Sequence, residues 1–172
     1  MRVKDFGFDL ISFSSGLLQK HTVQDIMRCN ERSARYGLVL TTEQAKELAE
    51  TRESSLRENG RIEFGSGVVD KIINAFCDSP YLMQSNYVET LHELIELFYY
   101  YKSDVEDLIS DDELIEFMKS SFDGECQGCI DLLANRELDQ LARNLRNDRP
   151  VNYTDDEPDV DEEDEEVLSD EQ

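Results

Sequence analysis

Apolar residues recur along this chain mostly at three- and four-residue spacing, the rhythm of helices with one buried face. Phe8, Leu10, Ile11, Phe13, Leu17 and Leu18 mark a short amphipathic segment over 8–20, with Gly16 inside it. Thr22 is a suitable N-cap, Asp25 follows three residues on and Gly37 suits a C-terminal stop, so a helix is expected over 23–36. A second N-cap at Thr41 or Thr42 opens a helix-forming run that continues until Asn59-Gly60 stops it. Two short β-like pieces, Leu38-Val39-Leu40 and Arg61-Ile62-Glu63-Phe64, flank that helix and can pair. Val68, Val69, Ile72, Ile73 and Phe76 form a helical stripe over 68–77, ended by Ser79-Pro80 because a residue before proline is pushed out of the helical region. Ser85 or Asn86 caps the strongest pattern, 86–108, in which Val88, Leu91, Leu94, Ile95, Phe98, Val105 and Leu108 mark a core face. Ser110 with Glu113 reads as a capping box for the helical run Leu114–Met118, stopped near Gly124. A last helix is expected from about Gln127 to Arg146, with Leu132, Leu133, Leu138, Leu141 and Leu145 inward. The pattern predicts an all-α fold: a single helical bundle of about six helices over residues 1–149, centred on 86–108, with room for one short β pair.

Charge divides the chain in two. Of the net charge of −23, twelve charges fall after residue 150 with no Lys or Arg among them, leaving −11 on residues 1–150. Residues 150–172 carry few apolar side chains, cannot offset their ordering entropy, and are expected to form a disordered acidic tail. A protein of this charge repels phosphate backbones, which disfavours nucleic acid as a partner and favours an unidentified protein partner, a basic one above all. No stretch approaches the roughly 18 apolar residues a membrane span requires, and the N-terminal residues lack a signal-peptide pattern, so a cytoplasmic location away from membranes is expected. The four cysteines then read as reduced thiols.

Several segments carry a resemblance: Arg35–Thr41, Gly60–Gly65, Phe76–Leu82, Leu91–Phe98, Ile109–Phe117 and Gly124–Gly128. Over residues 22–146 the chain resembles a family of small bacterial, Firmicutes-type proteins whose function is not established. The resemblance implies a bacterial, single-domain protein and supplies no catalytic residue. The chain departs from that pattern at Cys129 and in the acidic tail.

Four groupings are candidates for chemistry. Cys126-Gln127-Gly128-Cys129 places two thiols at a helix start, where free N–H groups lower a thiol pKa, so a redox dithiol or half a metal site can be read there. The simpler reading is a pair of small, half-buried thiols, because a structural zinc needs four ligands and no second such motif exists. Glu89, His92 and Glu96, with Glu93 among them, lie one turn apart and can line one face as metal ligands, or form a solvated acidic face with a histidine on it. Gly65-Ser66-Gly67 before a helix can hold an anion, or simply supply a serine N-cap between permissive glycines. Arg28, Arg32 and Arg35, and Arg136, Arg143, Arg146 and Arg149, form basic stripes that are simply the polar faces of amphipathic helices, or that the acidic tail can cover in competition with an anionic partner. A DNA-mimic role also fits the charge, though it would want acids fixed on a rigid surface. Tyr81, Tyr87, Tyr99, Tyr100 and Tyr101 offer the aromatic area that interfaces favour, or form the edge of the core, as most tyrosines at helical spacing do.

No nucleophile, base and oxyanion donors converge in the sequence and no cofactor motif appears. The expected function is a non-enzymatic protein-interaction module, adaptor or regulator. The alternative is a thiol-redox or metal-binding protein centred on Cys126 and Cys129.

Overall fold

The computed structural model describes residues 7–148 apart from Ser66; the side chains of residues 7–15 and of Leu17 lie outside that description, as do Arg149 and the acidic tail. Among the described residues all regular structure is helical and no strand forms. The order is α1 (Gly7–Arg28), α2 (Asn30–Ser33) running into a 3₁₀ turn (Ala34–Tyr36), α3 (Thr42–Glu58), α4 (Val69–Phe76), α5 (Tyr87–Asp104), α6 (Asp111–Asp123), and a last helix built as α7 (Ile130–Leu132), a π-helical segment (Leu133–Leu138) and α8 (Asp139–Asn147).

Two helix starts follow from local chemistry. Thr41 accepts from the Gln44 amide while the Gln44 side chain reaches back to the Thr41 amide, and Ser110 and Glu113 make the same reciprocal pair at α6. Thr22 behaves differently from its expected role. Its hydroxyl donates to the Leu18 carbonyl four residues back, at 3.0 Å, so α1 runs straight through it. The expected boundary between 8–20 and 23–36 therefore does not exist. The turn comes after Arg28, and the chain leaves the following 3₁₀ turn through Gly37 at φ 76°.

Helix α5 is the hub, packing against α3, α4, α6 and α7, while α1 lies on α3 and α4. Leu91, Leu94, Ile95 and Phe98 of α5 are fully buried, and each such side chain contributes about 1.5–3 kcal/mol through lost apolar surface. Phe76 of α4 meets Phe122 of α6 edge-on, ring centroids 5.5 Å apart. Most tyrosines expected as interface area belong to this core: Tyr87 and Tyr99 are fully buried and Tyr101 nearly so, leaving Tyr100 as the one large aromatic of α5 at the surface.

The α5 helix ends at Asp104, short of the predicted 108. Glu106 and Asp107 adopt left-handed backbone (φ 50° and 59°), and the Asp107 amide bonds back to the Lys102 carbonyl. The buried Lys102 ammonium fixes this turn by donating to the Ile109 carbonyl and pairing with Asp111 at 3.0 Å. In the last helix the Tyr101 hydroxyl donates to the Ala134 carbonyl at 2.7 Å, inside the π-helical segment. The changed register there turns Leu133 and Leu138 into the core and leaves Leu132, expected inside, 40% exposed.

The β pair does not form. Leu38 and Leu40 enter the core and the backbone between them is held by side-chain amides, Asn30 bonding both polar groups of Leu40 (2.8 and 2.9 Å) and Gln84 both of Val39 (2.8 and 2.9 Å). Arg61–Phe64 is turned the other way, its polar side chains inward.

Candidate functional site

The cysteine motif folds as a turn between α6 and α7. The Cys126 amide bonds to the Ser121 carbonyl and the Gly128 amide to the Phe122 carbonyl, with Gln127 and Gly128 at φ 49° and 79°. A side chain on Gly128 would sit 2.5 Å from Tyr81 Cβ, so the glycine in this motif is what lets Tyr81 pack on the turn. Cys126 is buried and Cys129 exposed. Burial pushes the Cys126 thiol up, Glu137 adds to this, and Arg136 only partly opposes it. The lowered pKa expected at a helix start is reversed, because loss of solvent is the largest influence on this thiol. Cys29 and Cys77 are core residues, and burial drives the Cys29 thiol up to about 12.

His92 lies 2.6 Å from the Thr51 hydroxyl and ties α5 to α3, while Glu89 and Glu96 face solvent. Among the described residues no three His, Cys, Asp or Glu side chains gather in a way that can hold a metal ion. At the glycine pair the N-cap position is Val68, without a side-chain cap, and Ser66 lies outside the described residues. Gly67 answers to a different neighbour: a Cβ there would fall 2.0 Å from Glu63 Oε2 and 2.7 Å from Arg52 Nε. The arginine stripes are largely engaged already, Arg28 with Asp25, Arg136 with Glu137, Arg143 with Asp139 and Arg146 with Asp104; Arg149 lies outside the described residues.

Sequence reasoning missed two features that tertiary structure assembles. The first is a buried ionic cluster. Arg52 of α3, 3% exposed, directs Nε and Nη2 at Glu63 Oε2, both at 3.2 Å; Nε is in hydrogen-bond geometry and Nη2 makes a Coulombic contact only. Tyr99 of α5 donates its hydroxyl to the same oxygen at 2.6 Å, and that contact together with burial drives the tyrosine pKa up. Two residues earlier, Arg61 makes a bidentate pair with Asp107 at 3.1 and 2.7 Å. With Arg61 and Glu63 held inward, Ile62 and Phe64 project outward, 84% and 93% exposed.

The second is a cleft of about 750 Å³ between the end of α3, the middle of α5 and the start of the last helix. Leu97, Ile130 and Ala134 give it an apolar floor, Tyr100 stands at one side, and Glu58, Glu93, Glu96 and Asp131 supply four carboxylates. Among the described residues no Lys or Arg lines it, and none of the four is in an ion pair. Burial raises the pKa of Glu93, and the charges of Glu89, Asp131 and Glu96 raise it further. Elsewhere cations are spent on carboxylates: Lys119 lies 2.5 Å from Asp78 and 2.9 Å from Asp123, and Lys71 2.8 Å from Asp112. Glu93 and Glu96 belong to the acidic run on α5 visible in the sequence. Glu58 and Asp131, 35 residues or more from that pair, had no signal to mark them as its neighbours.

Among the described residues no helix is long and apolar enough to cross a membrane. Residues 25–150 match a family of unknown function, DUF6323, and the chain belongs to that family. No curated protein and no solved structure matches it.

Proposed function

We propose that this member of a family of unknown function is a non-enzymatic protein-interaction module of the cytoplasm, and that its acidic cleft receives a Lys- or Arg-bearing segment of a partner protein. The observation that carries the reading is the cleft's charge: four carboxylates line it with no Lys or Arg beside them among the described residues, whereas carboxylates such as Asp112, Asp78 and Asp139 are each paired with a cation. A basic side chain suits both surfaces. Its methylenes can lie along Leu97, Ile130 and Ala134 while its charged end meets the carboxylates, and the face of Tyr100 favours a cation at the same level. Burial is the larger cause of the raised Glu93 pKa and like charge adds to it, so a positive charge beside Glu93 would oppose the second of these. A phosphate backbone meets charge of its own sign there and is repelled.

The test is calorimetric titration of the full-length protein with a short arginine- and lysine-containing peptide at two salt concentrations. The triple variant Glu93→Gln, Glu96→Gln, Asp131→Asn is compared with a charge-matched control, Glu162→Gln, Glu163→Gln, Glu165→Gln in the tail. Loss of binding in the cleft variant with retention in the control is expected. Equal affinity for both would show that net charge alone attracts the peptide and would end the reading.

A further inference from the structure

The segment 61–64 reverses the usual arrangement of an extended chain on a protein surface: its charged side chains point in and its large apolar ones point out. Arg61 is fixed bidentately to Asp107, and Glu63 is fixed by Arg52 and Tyr99. Gly60 and Gly65 bracket the segment at φ 62° and 73°, allowing it to leave and rejoin the body sharply, and Gly67 leaves room for the Arg52–Glu63 contact. A chain tethered at alternate residues presents Ile62 and Phe64 on a fixed backbone, so little conformational entropy remains to be lost on binding.

We infer that segment 61–64 is a docking strap whose Phe64 and Ile62 side chains enter an apolar hollow on a partner protein, and that the rim of this hollow carries Lys or Arg. Charge selects this occupant from the three available. The chain's own tail, with twelve acids and no base, would approach a body that already carries −11, and a second copy would bring another −23. A partner with a basic rim meets the opposite sign at Glu58, at the end of the preceding helix. The inference deepens the cleft reading, since Glu58 and Asn59 line the cleft and Gly60 follows them directly, giving one partner two adjoining contacts.

The experiment places the photo-crosslinker p-benzoylphenylalanine at position 64 of the full-length protein in its native cells, with the crosslinker at Tyr36, 50% exposed, as the control position. The protein crosslinked at 64 is identified and purified. Its affinity is then measured for the unmodified chain, for Phe64→Ser, for Ile62→Ser and for the triple cleft variant. An adduct with a different protein, specific to position 64, and affinity weakened about thirtyfold by Phe64→Ser are expected, the loss typical of a central anchor. No adduct beyond that of the control, an adduct only with a second copy, or full affinity of Phe64→Ser would overturn the strap. Weakening by Phe64→Ser with an unaffected cleft variant keeps the strap and removes the cleft reading; weakening by the cleft variant alone does the reverse.

Discussion

Residues 38–40 and 61–64 have similar local sequence character and opposite fates. Both are short, rich in branched or aromatic residues, and flank α3, yet one turns Leu38 and Leu40 into the core while the other turns Ile62 and Phe64 to solvent. The difference lies in what each finds on the body. The first meets two side-chain amides, Asn30 and Gln84, which satisfy its backbone in place of a neighbouring strand and leave its side chains free to bury. The second meets a buried guanidinium and a tyrosine hydroxyl, which capture Glu63. In an extended chain the direction of one side chain fixes that of its neighbours. Capturing Glu63 therefore expels Ile62 and Phe64.

The contrast can be broken from the ionic side first. Arg52→Ala removes a buried cation whose partner stays on the loop, and should destabilise the protein by about 3–5 kcal/mol in urea unfolding. A loss under about 1 kcal/mol would mean that the cluster does not hold the segment. Leu40→Ala, on the inward piece, should cost about 3 kcal/mol through lost burial and a residual cavity. Asn30→Ala orphans the Leu40 amide and carbonyl and should cost about 1–2 kcal/mol, with faster hydrogen exchange at Leu40 as the sign that the substitute strand has gone. By comparison, Ile62→Ser and Phe64→Ser should each change stability by no more than about 0.5 kcal/mol. A large destabilisation by either would show that these side chains serve the fold and are not a free surface.

The smallest effect belongs to the cleft. The folded-state pKa of Glu93 lies above its ordinary value of 4.5, so the native protein binds this proton more tightly than the unfolded chain, and ionised Glu93 opposes folding at neutral pH. Glu93→Gln should therefore raise the melting temperature slightly at pH 7. That gain should fade as pH falls through the raised pKa toward 4.5, where the native carboxyl is protonated as well. An unchanged or lowered melting temperature at pH 7 would contradict the like-charge strain.

Much of the helical plan was written locally. The capping boxes at Thr41 and Ser110 involve residues three apart, and the α5 core stripe needs nothing beyond its own 3.6-residue period. Where a local signal had two uses, tertiary context chose. Thr22 can cap a helix or bond back within one, and α1 takes the second course. The thiol of Cys126 stands near a helix start, yet its burial decides its acidity. Gly67 can be read as a permissive glycine beside a serine N-cap or as part of an anion loop, and is the space beside Arg52.

The chain's order of apolar and polar residues was enough to specify a helical protein, the central place of α5, two helix starts and the strong negative charge, because each depends on neighbours within a turn or on simple summation. Which carboxylates share a cleft, which arginine is buried, and whether an apolar pair faces the core or the solvent were decided only by packing. Those properties depend on contacts between residues far apart in the chain, such as Glu93 with Asp131 and Tyr99 with Glu63, for which local periodicity carries no information.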